Sequence, residues 1–234
     1  MGNSAFSKEA LAEAWTIIKA QLALSIWETL YVTVLATAFA FIIGLPLGVL
    51  LVTGEKDGIR PLPKAFMSVL NFVINVLRSI PFLILMILVF PITRFITGTV
   101  VGTQATIVPL VIAAFPFIAR LVESSLREVN HNTIEMAQSL GASPFQIVTK
   151  VMIRESIPSL ISNMTIATTT VLSYTAMSGI LGGGGLGKIA INYGYYRYKT
   201  LVMIVAVVFL IILVQVLQSL GTHLAIKVDK RIRK

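Results

Sequence analysis

Asn132-Thr133-Ile134-Glu135-Met136-Ala137-Gln138-Ser139-Leu140-Gly141-Ala142-Ser143-Pro144-Phe145-Gln146-Ile147-Val148-Thr149-Lys150-Val151-Met152-Ile153 is the longest amphipathic stretch between two hydrophobic blocks of the chain, and its punctuation decides how the rest is read. Asn132 with Glu135 three residues on is a capping-box pattern, which predicts a helix starting at Thr133. Gly141 stands where a glycine beyond the helix end would close that helix after about two turns. Ser143, then Pro144, then Gln146 at the third helical position is a second start signal, because proline lacks only an N–H that has no partner there anyway. The spacing predicts two short helices joined by a glycine elbow at Gly141 and Ala142, over 132–153.

The blocks around this knob set the class. Of 234 residues, 56% are hydrophobic and only 12% charged, with mean hydropathy +0.88. A soluble surface would need far more charge, so the chain reads as an all-α, polytopic membrane protein. Five blocks are long enough to span: 31–52, 65–90, 100–119, 157–180 and 201–220. Gly44-Leu45-Pro46-Leu47-Gly48 is expected to kink the first. Residues 1–26 place Phe6, Leu11, Trp15, Ile18 and Leu22 at helical spacing among charges, the pattern of an amphipathic helix lying at the membrane surface. No cleavable signal peptide is evident, since Lys8, Glu9, Glu13, Lys19 and Glu28 interrupt this region. The absence of cysteine excludes disulfides and thiolate metal sites.

Charge gives the orientation. With five spans, twelve Lys and Arg residues fall on the side that holds the knob and the basic tail 227–234, six fall on the other, and Arg78 lies inside the second block. The net charge of +9 therefore tracks the membrane rather than nucleic acid. The positive-inside rule puts the N-terminus outside, and the knob and C-terminus in the cytoplasm.

The knob also resembles a known motif. Glu135-Met136-Ala137, then Gly141, then Val151 and Ile153 is similar to the Glu-Ala-Ala loop of ABC-importer permeases, with Met136 in place of the first Ala and Arg154 where that family has Pro. Within the family the chain is similar to permeases of methionine importers, through Trp27-Glu28-Thr29-Leu30, Arg78-Ser79-Ile80-Pro81-Phe82, Phe115-Pro116-Phe117-Ile118-Ala119-Arg120 and Gly182-Gly183-Gly184-Gly185-Leu186-Gly187. The resemblance covers nearly everything from Trp27 onward. It implies a type I importer permease fold in the bacterial cytoplasmic membrane, built around a permease domain over 27–226. It also implies a homodimer, a separate dimeric ATPase that binds ATP and Mg, and an extracytoplasmic substrate-binding protein. The docking residues it implies are Asn132, Glu135, Met136, Ala137, Leu140, Gly141, Ala142, Ser143 and Pro144. Its implied substrate is methionine, with another small amino acid as the alternative.

Other stretches carry weaker signals. Gly182, Gly187 and Lys188 fit a phosphate-binding loop, but Ile189 stands where Ser or Thr must hold magnesium, and no strand precedes the run. A flexible or closely packed turn is the better reading. Arg78 either lines the pathway or snorkels near the break at Pro81. Thr165, Thr168, Thr169 and Ser173 share one face of the fourth block, suited to a pathway lining or to a close helix contact. Tyr193, Tyr195, Tyr196 and Arg197 form a loop that is either an interfacial belt or a docking surface for the external binding protein. His131 and His223 are isolated, and no catalytic or metal constellation is present. An ion-coupled carrier is disfavoured because none of the five blocks contains Asp or Glu.

Overall fold

The computed structural model describes residues 8–229, the side chains of residues 9 and 10 excepted. Phe6 and the tail residues beyond 229 therefore lie outside the described residues. All regular elements among those described are helical: α1 (Lys8–Thr53), α2 (Lys64–Ser79), α3 (Phe82–Leu88), α4 (Phe90–Thr97), α5 (Ile107–Arg127), α6 (His131–Ser139), α7 (Pro144–Gln146), α8 (Ile153–Ser178), α9 (Gly185–Ile189) and α10 (Thr200–Val228). Wider π-helical turns at Ile147–Met152 and Ala190–Tyr195 join α7 to α8 and extend α9.

Three of these helices, within α1, α5 and α10, are long and apolar enough to cross a membrane, and a fourth span results if the bent pair α2 and α3 counts as one. That pair departs from the single block expected over 65–90. Pro81 forces Ile80 into an extended conformation (φ −82°, ψ 125°), because a residue before proline is pushed out of the helical region. The fourth block is a helix as expected, but its Thr and Ser side chains keep α8 below the hydropathy of the other spans.

Boundaries also shift. Residues 8–26 and the first block form one 46-residue helix that runs on through Pro46, so no helix end marks residue 26. The helix of the third block, α5, begins at Ile107 rather than 100, after a loop containing Gly98 and Gly102 at positive φ. α10 continues to Val228, eight residues beyond the apolar block.

The chain divides into two compact units. The first holds residues 1–37, 82–111 and 168–217, and its apolar cluster joins Ala14 of α1, Ile189 of α9, and Val202 and Ala206 of α10. The second holds 38–81, 112–167 and 218–234, with Leu51 of α1, Met67 and Ile74 of α2 and Ala119 of α5 packed together. In this second unit Gly44 and Gly48 serve close packing. A Cβ on Gly44 would sit 2.8 Å from Ile118 Cγ2, and one on Gly48 would sit 2.7 Å from the Ala119 carbonyl. The pair lets α1 lie directly against α5, as small residues do in membrane helix crossings.

Candidate functional site

The knob is built in the second unit by two adjoining caps. The expected start at Asn132 moves two residues upstream: Asn130 is extended and its side chain accepts the Asn132 amide at 2.9 Å, so α6 begins at His131. Asn132 falls inside the first turn, and Glu135 pairs with His131 at 3.1 Å, one turn away, instead of reaching back to a cap. An Asn-His-Asn run offers two equivalent caps, and geometry selects the first. The end of the helix follows expectation. Gly141 takes φ +77°, its amide donates to the Gln138 carbonyl at 2.9 Å, and the Ala142 amide donates to Ala137 at 3.1 Å. These are the paired bonds of a Schellman closure.

Ser143 opens the next helix with both halves of a capping box, its own amide donating to Gln146 Oε1 at 2.9 Å and its hydroxyl accepting the Gln146 amide at 3.4 Å. The second helix is not short, however. After Pro144–Gln146 it passes through the π turn, where the Ile153 amide bonds to Val148, and continues as α8 to Ser178. The elbow therefore joins α6, through capped ends on both sides, to a long helix.

Burial sorts the knob's side chains. Ile134 and Ala137 face inward, as do Ile147 and Met152. Met136 and Leu140, one turn apart, are 60% and 81% exposed, and Phe145 beyond the elbow is 77% exposed. Capped and anchored from below, the knob holds three large apolar side chains out into solvent, where they would be expected to turn inward. Phe145 lies outside the set expected from sequence. Its signal is position: an apolar residue directly after the N1 proline of a capped helix has no turn beneath it to pack on.

Next to the knob, the end of α5 is laced with polar bonds. Arg120 donates to Glu123 Oε2 at 2.7 Å, Asn71 Oδ1 at 2.7 Å and Asn75 Oδ1 at 3.0 Å. Arg127 donates to Glu123 Oε1 and, with both terminal nitrogens, to the Glu55 carboxylate at 3.1 and 2.6 Å. Ser159 and Asn163 of α8 bond to Ser125, and Ser159 also donates to Glu128.

The pathway candidates separate. Arg78 is exposed in the last turn of α2, the negative end of the helix dipole, where a cation is favourable. Thr165 is buried and its hydroxyl donates to the Ile161 carbonyl at 2.8 Å. A Cβ on Gly221 of α10 would fall 1.9 Å from that hydroxyl, so Thr165 belongs to a close helix contact. Thr168 and Thr169 are half-buried; Ser173 is exposed, bonds back to the Thr169 carbonyl at 3.1 Å, and faces a groove with Val207, Leu210 and Ile211 of α10.

In the first unit the glycine run is held tightly. Gly185 donates its amide to Glu28 Oε2 at 2.7 Å, Leu186 donates to Thr29 Oγ1 at 2.9 Å, and Thr103 donates to Glu28 Oε1 at 2.9 Å. The Gly185 amide is thus taken up by a carboxylate of the same chain. Gln21 donates to the Tyr193 hydroxyl at 2.7 Å and Arg197 lies 4.8 Å above the same ring, so these two loop residues are partly committed. Tyr195 and Tyr196 meet edge to face at 5.3 Å and are both exposed, as is Tyr198 at φ 55°. Lys199 pairs with Glu13, which ties α1 to this loop.

Residues 44–230 match the family described as binding-protein-dependent transport system inner membrane component. A probable D-methionine transport system permease protein, MetI, of Vibrio cholerae serotype O1 is 48% identical over 221 residues, covering 93% of this chain and 96% of the relative. The methionine import system permease protein MetP of Bacillus subtilis is 45% identical over 168 residues, 72% of this chain and 76% of that one. A solved structure of inward-facing MetNI methionine ABC transporter superposes with a TM-score of 0.89 at 41% identity, over 91% of this chain and 98% of that chain. An amino acid ABC transporter at 18% identity and TM-score 0.74, over 91% and 97%, shares the fold.

Proposed function

The chain belongs to the inner membrane components of binding-protein-dependent transport systems, and from that membership we propose that it is the membrane-spanning subunit of an ABC importer for methionine. The relatives named for methionine transport support the substrate, including one matched over nearly the full length of both chains. One observation carries the mechanism: the knob over 131–146 is rigidly capped yet keeps Met136, Leu140 and Phe145 in solvent. A cleft on a separate cytoplasmic ATPase is the occupant that this shape and membership fit, and that subunit would hold ATP and Mg. Closing the cleft would swing α6 and, through the continuous helix from Pro144 to Ser178, turn the helix beyond it.

Two copies of the chain would form the pathway, with the exposed Ser173 and its neighbours Thr168 and Thr169 on the lining and Arg78 near the break in α2. Tyr195, Tyr196 and Tyr198 would meet the external binding protein. Five crossings follow if α8 and the bent α2–α3 pair both span, and the Lys and Arg bias then puts the N-terminus outside. Because the chain has no cysteine, sidedness is directly measurable. Ser139→Cys should resist a membrane-impermeant maleimide in intact cells and react in inverted vesicles, and Tyr196→Cys should do the reverse. The opposite labelling pattern would overturn the proposal.

A further inference from the structure

We propose that Arg120 is the positioning residue through which movement of the knob reaches α2. This rests on the reading that the knob binds an ATPase. A guanidinium inside a helix apolar enough to span a membrane is costly unless its donors are met. Arg120 is four-fifths buried, and it meets three acceptors on two helices. Two of them, Asn71 and Asn75, stand one turn apart on α2. The Asn71 amide nitrogen donates to the Met67 carbonyl at 2.8 Å, which turns its oxygen toward Arg120. The third, Glu123, also receives Arg127, and Arg127 grips Glu55 in the connection between α1 and α2. Arg127 ends α5 three residues before the Asn130 cap sets α6 on its course.

Every bond in this relay is discrete, and the fork geometry of arginine lets one side chain hold Glu123 and both asparagines together. The last turns of α5 are held to α8 through Ser125, and to α2 and Glu55 through Arg120 and Arg127. α2 itself ends at the Ile80–Pro81 break. It can therefore be drawn by α5 as a short rod. Apolar contact of Met67 and Ile74 with Ala119 keeps the two helices adjacent, and the polar relay fixes their register. Disrupting the relay should leave the complex assembled and hydrolysing ATP, while less substrate moves per ATP.

The test is the full complex, with ATPase and binding protein, in proteoliposomes, measuring labelled methionine uptake per ATP hydrolysed. Arg120→Lys keeps the charge but loses the fork, and Asn71→Leu removes one acceptor. Both should retain the ATPase and lower uptake per ATP at least about fivefold, the low end of ordinary coupling between sites. Asn71→Asp, which restores an acceptor, should return most of the ratio. Asn71→Leu lies on a half-exposed face of α2, so it reads the relay even if Arg120→Lys assembles poorly. Wild-type uptake per ATP in both Arg120→Lys and Asn71→Leu would overturn the inference and leave the docking reading standing. Failure of the wild-type chain to hold any ATPase would overturn the docking reading and the inference with it.

Discussion

The knob and the glycine run are both glycine-marked breaks between helices, and the structure uses glycine in opposite ways in the two. At the knob, Gly141 is exposed at φ +77°, and a Cβ placed on it finds no described atom within 4 Å. In the run, a Cβ on Gly187 would lie 2.1 Å from the Ala176 carbonyl, and one on Gly184 would lie 2.1 Å from Thr103 Oγ1. Gly141 is needed for its dihedral angles, whereas Gly184 and Gly187 are needed for their lack of volume. The open elbow is where a partner could approach. The crowded turn is already filled by the chain itself, with Glu28 as its internal ligand.

That contrast can be broken by substitution. The largest effect should come from Gly187→Ala, which puts a methyl into a backbone carbonyl. The cost should exceed the roughly 1–3 kcal/mol of ordinary overpacking, and monodisperse protein in detergent should fall sharply. Glu28→Ala comes next. It leaves the buried Gly185 amide without its acceptor, a loss of about 1–3 kcal/mol, seen as a lower thermal midpoint. Glu28→Gln should recover most of it, since one amide can accept from Gly185 and donate to Thr103. Gly141→Ala pays only for a left-handed residue, about 1–2 kcal/mol. If Gly141→Ala proved as damaging as Gly187→Ala, the elbow would be crowded too, and the two glycines would not differ in role.

The same contrast explains what could be read from the sequence. The knob was legible because caps are local: Ser143, Pro144, Gln146 and Gly141 act within a turn of their own position, and all four do what their spacing predicts. The shift of the first cap, Asn130 for Asn132, lies between two residues of identical chemistry two positions apart, and the length of the second helix is set beyond the local signals, by its continuation into α8. The glycine run is legible only as a turn, flexible or closely packed; the contacts that make it closely packed are not. Its holder, Glu28, is 157 residues away, and no local pattern joins them. Arg120 with Asn71 and Asn75 is hidden for the same reason, at separations of 49 and 45 residues. The second block misled in a further way. Hydropathy over 65–90 reports that a segment prefers lipid, while the direction of the chain at Ile80 is set by one proline. The gain of Ile107 over 100 as the start of α5 likewise belongs to glycine turns, which hydropathy does not register.

A direct trial of the docking claim is retention of the ATPase by the purified chain carrying both Leu140→Ser and Phe145→Ser. These side chains are 81% and 77% exposed, so the fold and thermal midpoint should stay close to wild type. The account predicts that the doubly substituted chain inserts normally but no longer co-purifies with the ATPase subunit that the wild type holds. Undiminished co-purification from a properly inserted double variant would contradict it.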